Sequence, residues 1–340
     1  MESFEKRCQD FRSAFDALRA EVGKVIVGQK DIIEGVLISL FCGGHVLLEG
    51  VPGLGKTLLV RTLSTALSLA FRRIQFTPDL MPADIIGTNV VVEDATIGKP
   101  SVKRFQFQQG PIFAEMILAD EINRATPKTQ SAMLEAMQEH CVTVAGQTHK
   151  LPEPFMVLST QNPIELEGTY PLPEAQLDRF LMKLIMPYNS REELSQILDR
   201  TTTGQSPHVQ SIMDGRDIIG YQELVPQVVM APHVQDYAIR LVMATHGQGN
   251  SSQSAKITPE LAKRFVRFGS SPRGLQALVL AAKVRAMLHE RYHVAFEDLA
   301  QSYLPALRHR VLLNFEGQAE GISSDDVLKQ ILEVTPKTTE

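Results

Sequence analysis

The residues best equipped for chemistry are Gly50, Val51, Pro52, Gly53, Leu54, Gly55, Lys56 and Thr57, which fit G-x-x-x-x-G-K-[ST]. That spacing cradles a polyphosphate. Several backbone N–H groups must converge on one anion, which requires glycines where the chain turns with positive φ. A helix opening at the loop adds its dipole and its unpaired N–H groups. Lys56 is then placed to reach the β- and γ-phosphates, and the Thr57 hydroxyl to sit on Mg2+. The rival dinucleotide fingerprint G-x-G-x-x-G fails, because Leu58 stands where its third glycine belongs.

Two carboxylates, Asp120 and Glu121, end the apolar run 116–119. In phosphoryl transfer the first acid holds Mg2+ and a second can orient the attacking water. Adjacent acids at a strand end can also form a solvated turn; downstream of a phosphate loop the catalytic reading prevails. Ser159, Thr160, Gln161 and Asn162 end another apolar run, where a polar side chain could hold the water or the γ-phosphate from the far side. Asn162 followed by Pro163 is equally a routine turn signal. Arg179 and Arg273 are candidate stabilisers of transition-state charge, a role worth on the order of 10³–10⁵ in rate. As residues alone, each could instead be a surface ion pair worth under about 1 kcal/mol. His289, Glu290 and His293 match H-E-x-x-H near the expected end of a helix. A zinc protease also needs a third ligand and an open cleft. The extended motif fails at Phe296 and Leu299, so the segment reads as a polar helix end.

The elements that must position these groups are legible in the periodicity. Residues 45–49 form a strand-like run before the phosphate loop, and 58–70 follow it with helical spacing. Strand character recurs at 72–77, 115–120, 155–159 and 181–186, with a helix expected over 128–139. Alternation of strands and helices predicts a mainly parallel sheet covered on both faces. Residues 88–92 and 102–107 suit one hairpin, and 141–145 with 148–151 a second. Phe4, Cys8, Phe11, Phe15, Leu18 and Val22 make one apolar stripe, predicting an amphipathic helix packed on the main domain. Turn-rich composition after Thr201 places a boundary there. Beyond it, helices are expected at 232–245, 259–268, 275–291, 296–313 and 324–332.

Bulk properties exclude several classes. A chain of 340 residues has room for about two domains with ample core. A formal net charge of −5 disfavours nucleic acid as the main partner. Cys8, Cys42 and Cys141 are widely spaced and read as reduced thiols of a cytoplasmic protein. The charged N-terminus does not suit a signal peptide, and the longest apolar stretch, 36–48, is too short to span a bilayer.

Taken together, the phosphate loop, the run from Leu118 to Ala125, the run from Thr160 to Glu165, the run from Glu167 to Phe180, and Ser271-Pro272-Arg273 resemble the MoxR family of AAA+ ATPases. The resemblance extends from about residue 25 to about 313. It implies an α/β fold: an AAA+ P-loop core, a parallel sheet flanked by helices with β-hairpin inserts, plus a smaller all-α lid. The N-terminal helix would occupy 1–22, the nucleotide-binding domain 23–200, a linker 201–222 and the helical lid 223–335. Residues 79–110 would be the helix-2 insert and 141–151 the hairpin before sensor 1. By the same resemblance Lys56 and Thr57 belong to Walker A, Asp120 and Glu121 to Walker B, and Asn162 is sensor 1. Arg179 would be an arginine finger acting on the next subunit's nucleotide, and Arg273 sensor 2, reaching from its own lid. Val27 and Gly28 would lie near the adenine. ATP and Mg2+ are the implied cofactors. The implied partners are further copies in a hexameric ring, a protein client and a separate von Willebrand factor A domain protein. A DNA-dependent AAA+ ATPase and a slow nucleotide-dependent assembly switch are the rival functions.

Overall fold

Five short strands form one wholly parallel sheet in the order Phe71–Gln75, Met116–Asp120, Met156–Gln161, His45–Glu49, Phe180–Ile185. The computed structural model describes residues 3–94, 102–163, 168–202, 207–247 and 259–337. Parts of the expected insert, linker and lid, and residues 164–167 of the quoted motifs, lie outside these. Parallel strands must be covered on both faces, and these are: along His45–Glu49, Val46 and Leu48 enter one cluster of buried side chains while Leu47 enters another. The first cluster runs without a break from Cys8 and Phe11 through the sheet to Leu328 and Ile331. The second holds Ile74, Ile117, Val157 and Phe180 against Met133 and Met137 of the helix Pro127–Glu139.

The N-terminal helix Phe4–Gly23 buries Cys8, Phe11, Phe15, Leu18 and Val22, the stripe its spacing predicts. Phe11 meets Phe41 edge-on at 4.9 Å and Tyr221 at 5.3 Å. Both hairpins form. Gly87–Asp94 pairs antiparallel with Val102–Gln109, and Cys141–Val144 with Gln147–Lys150. The second turns through Ala145 at φ 49° and Gly146 at φ 80°, the two positive values of a tight hairpin turn. A stack of Phe107 on His149, centroids 3.9 Å apart, joins the hairpins to each other.

Three expectations need correction. The segment 201–222 is not all linker: Gly215–Gln222 is a helix capped by Asp214, and Ile218 is fully buried. The helix expected over 296–313 ends at Leu307, and that over 259–268 ends at Phe265. Leu312–Leu313 and Val266–Phe268 instead pair as a two-stranded ribbon, so the helical lid also carries β-structure. Apolar periodicity alone does not separate a helix from a short buried strand continuing it. Among the described residues no helix is long and apolar enough to cross a membrane.

The lid docks on the open edge of the sheet. The last strand leaves backbone carbonyls unpaired there, and buried carbonyls need partners. Arg310, 7% exposed, supplies them: its Nη2 donates to the carbonyls of Phe180 (2.7 Å) and Asp178 (3.1 Å), and its Nη1 to those of Leu181 (3.2 Å) and Ala306. Its Nε donates to the Asp178 carboxylate at 2.7 Å. Buried His309 pairs its Nε2 with the Phe180 carbonyl at 3.0 Å. Farther along, Arg285 of the lid helix Pro272–Leu288 bridges to Glu34 at 2.5 Å.

Two outcomes follow from these contacts. Removing one member of a buried, hydrogen-bonded pair costs about 3 kcal/mol or more. Arg310→Met should therefore lower the urea midpoint sharply, and adding Asp178→Asn should recover part of the loss; a single variant as stable as wild type would refute the pin. Burial also lowers the His45 imidazole from its ordinary value near 6.5 to about 4, a shift that the Met137 carbonyl opposes and His140 adds to. The unfolded chain takes up that proton below pH 6.5 and the folded chain only near 4, so the stability contributed by neutral His45 is complete above 6.5 and lost as pH falls through this window. Between about pH 7 and about pH 5 this should remove on the order of 2 kcal/mol, measured by urea unfolding. His45→Gln should show a visibly smaller loss; an unchanged pH dependence would assign the effect elsewhere.

Candidate functional site

A parallel sheet puts every strand's carboxyl end on one side. Leu48 stands in register with Thr160, and Gln75 with Asp120. Glu49, Asp120, Gln75 and Gln161 therefore share one edge, the usual place for a ligand in an α/β sheet. The phosphate loop leaves that edge directly after Glu49. Its Gly50 N–H donates to the Gln161 carbonyl at 3.2 Å. Gly53 and Gly55 adopt φ of 87° and 79°, the left-handed region that the loop requires. Gly55 then caps the helix Lys56–Ala66 with no side-chain hydrogen bond to its first turn. The leading N–H groups of that helix are thus uncapped by side chains and face the loop, a donor set suited to phosphate oxygens. Pro52 and Leu58 are exposed at the rim, and Leu54 and Thr57 are half-buried. Lys56 folds back onto the Gly50 carbonyl. Burial lowers its pKa, while Asp120, Glu121 and Glu49 pull it back up, so the ammonium already faces a concentration of negative charge.

The acids sit two strands over from the loop, with Met156–Gln161 between. Asp120 Oδ1 accepts from the Thr160 hydroxyl at 2.6 Å, and the same hydroxyl oxygen accepts the Glu121 N–H at 2.8 Å. Glu121 is held at φ 55° and ψ 50°, a left-handed conformation costing a non-glycine residue on the order of 1 kcal/mol. Its carboxylate accepts from Gln75 at 2.8 Å and from Arg124 at 3.0 Å. Asp120 Oδ2 accepts from Arg73 Nε at 3.0 Å and Nη2 at 2.6 Å. Asn162, 7% exposed, follows the middle strand and lines a cleft of about 430 Å³ with Glu49, Gln161 and Lys183. Val27 and Gly28 line a second cleft of about 530 Å³, with Lys30, Gln196 and Arg200. Gln29 Nε2, donating to the Pro187 carbonyl at 3.1 Å, anchors this segment to the same end of the sheet.

Arg179 and Arg273 lie elsewhere. Both line a cleft of about 300 Å³ with Gly43, Gly44, His45, Leu181 and Arg310. Those are residues of the amino ends of their strands. The strand His45–Glu49 separates that cleft from the phosphate loop by roughly 13 Å at 3.3 Å per residue. The expectation that Arg273 reaches its own nucleotide from the lid is therefore not met. The reason is the docking by His309 and Arg310, which carries Ser271 and Arg273 to the start of the last strand. Ser271 Oγ donates to Asp178 at 2.9 Å while its oxygen caps the Arg273 N–H at 3.1 Å. Arg179 Nε is buried with no hydrogen-bond partner among the described residues.

The H-E-x-x-H match does not lie on one helix face. The helix ends at Leu288, Glu290 turns at φ 60°, and His289 Nδ1 lies 3.2 Å from Asp298, which Arg291 also grips. Other participants escaped the sequence reading: Arg124, Asp178, Arg310 and the pair Arg73 and Gln75. The last two share a strand face and end in register with Asp120, the signal that could have drawn attention to them.

Known proteins resemble this chain along nearly its whole length. The family described as "ATPase family associated with various cellular activities (AAA)" matches residues 45–182, and the AAA lid domain matches 259–331. Chaperone MoxR1 of Mycobacterium tuberculosis is 41% identical over 313 residues, covering 92% of this chain and 79% of the relative. YeaC of Bacillus subtilis is 40% identical, covering 92% and 91% of the two chains. Protein MoxR of Methylorubrum extorquens is 30% identical, covering 96% of each. A crystal structure of a protein from Cytophaga hutchinsonii superposes with a TM-score of 0.88 at 40% identity, covering 99% of this chain and 98% of that one. With an uncapped phosphate loop, paired acids at the end of the strand Met116–Asp120 and a docked helical lid, this chain belongs to the MoxR family of AAA+ ATPases.

Proposed function

We propose that the chain hydrolyses ATP with Mg2+ at a site completed between two copies of itself, and uses the cycle to remodel or assemble a protein client. The observation that carries this reading is the division of the machinery between opposite ends of the sheet. The phosphate loop, Asp120, Glu121 and Asn162 lie at the carboxyl end, whereas Arg179 and Arg273 lie at the amino end. Neither arginine is placed to serve its own loop. A closed ring, hexameric by the family's habit, would bring the arginine end of one copy to the loop of the next.

In this reading the loop N–H groups and Lys56 bind the phosphates, and Val27 and Gly28 border the base. Thr57 and Asp120 hold Mg2+, which neutralises phosphate charge when bound. Glu121 orients the attacking water and Asn162 positions it from the neighbouring strand. Arg179 and Arg273 of the adjoining copy balance the charge that develops in the transition state. The hairpins carry the work outward. Val91 and Phe105 form a cross-strand pair, 55% and 77% exposed, that can engage apolar segments of a client. A separate von Willebrand factor A domain protein is the adaptor we expect, in the cytoplasm. One relative bears the name chaperone, which supports the client-directed reading.

Glu121→Gln should leave ATP bound yet slow turnover by about 10² or more, because a positioned base or water-orienting group is worth roughly that much. Lys56→Ala should instead weaken nucleotide binding itself, read by a fluorescent ATP analogue. The seam is tested by mixing. Arg179→Ala and Arg273→Ala should each be nearly inactive alone, and each should regain hydrolysis when mixed with Glu121→Gln, which lends its intact arginines to the other's intact acids. Rescue of Arg179→Ala without rescue of Arg273→Ala would return Arg273 to its own subunit's site.

A further inference from the structure

We propose that Arg73 is a tethered cation competing with Mg2+ for one oxygen of Asp120, and that it thereby sets how much Mg2+ the site requires. The inference rests on the reading of Asp120 as a metal-holding acid and adds a competitor to it. Both Asp120 oxygens are engaged. Oδ1 takes the buried Thr160 hydroxyl at 2.6 Å, a contact fixed by the same hydroxyl's grip on the Glu121 N–H. Oδ2 takes two N–H groups of one guanidinium, Arg73 Nε at 3.0 Å and Nη2 at 2.6 Å. The carboxylate side chain is 14% exposed, so it gains much from a cation beside it. The guanidinium side chain is 48% exposed and lies on the edge strand Phe71–Gln75, so it can withdraw into water without disturbing the core. A buried partner on Oδ1 and a half-exposed partner on Oδ2 leave Oδ2 as the oxygen a metal would claim.

The arrangement also reports on Glu121. Arg73 Nη2 donates to Gln75 Oε1 at 2.6 Å, and Gln75 Nε2 donates to Glu121 Oε2 at 2.8 Å. Gln75 presents its amide nitrogen to Glu121 because its oxygen is turned to Arg73. When the guanidinium leaves, the amide loses the contact that sets its orientation. Release of Asp120 and loosening of Glu121 are thus one event in the same chain of hydrogen bonds. Arg73 is a positioning residue, acting through its contacts with Asp120 and Gln75.

The test measures binding, not turnover. A fluorescent non-hydrolysable ATP analogue is titrated onto the full-length chain at increasing Mg2+, and separately in EDTA. Arg73→Ala should lower the Mg2+ concentration for half-maximal binding by roughly two- to fivefold, the yield of a half-exposed pair, with metal-free binding unchanged. Arg73→Lys, which keeps the charge but not the two-pronged contact, should fall between. In an Asp120→Asn background the Arg73→Ala substitution should have no further effect. An Arg73→Ala midpoint equal to or above wild type, in a chain where Asp120→Asn does shift it, overturns this proposal and leaves the ATPase reading intact. A midpoint that Asp120→Asn does not move overturns both.

Discussion

The constraint on which everything else depends is the polarity of the parallel sheet. Because all five strands point the same way, the two ends of the sheet are chemically different places. The carboxyl ends gather Glu49, Gln75, Asp120 and Gln161 around the phosphate loop. The amino ends gather Gly44, His45 and Leu181, and with them Arg179. An antiparallel sheet would have mixed the two sets. Here the phosphate loop, Asp120 and Glu121 occupy one side and Arg179 and Arg273 the other, a separation set by the backbone.

Arg310 fixes which side the lid reinforces. Its guanidinium satisfies carbonyls at the start of the edge strand and the Asp178 carboxylate next to Arg179. The lid helix opening at Pro272 is tied to the same carboxylate through Ser271. Three arginines therefore share one cleft with a single acid, Asp178, among its charged lining residues. Burial is the main influence lowering the Arg310 pKa, Asp178 opposes it, and the nearby Arg273 charge lowers it further. Such a cleft holds uncompensated positive charge at low local dielectric, a condition that favours an incoming polyanion.

The phosphate loop, both hairpins, the amphipathic N-terminal helix and the five strands were legible because each is written in local spacing. Leu47 and its neighbours announce a strand buried on both faces, and Gly53, Gly55 and Lys56 announce an anion-binding turn. The position of Arg273 was not legible. It follows from Arg310 meeting the carbonyls of Phe180 and Leu181, some 130 residues away in sequence, and backbone carbonyls leave no mark in a residue pattern. Arg73 and Gln75 were visible only as alternation in a strand. Their partnership with the acids appears once the Phe71–Gln75 and Met116–Asp120 strands are set in register. The ribbon of Leu312–Leu313 with Val266–Phe268 was hidden for a related reason, since a two-residue strand has no period to read.

The stacked rings of Phe107 and His149 carry a mechanical corollary. One hairpin interrupts the route from Gln75 to Asp120, and the other the route from the helix Pro127–Glu139 to the strand ending before Asn162. Joined ring to ring, they are coupled by a contact worth about 1 kcal/mol. The two hairpins leave the sheet beside adjoining strands, so this stack ties the surface at Val91 and Phe105 to both.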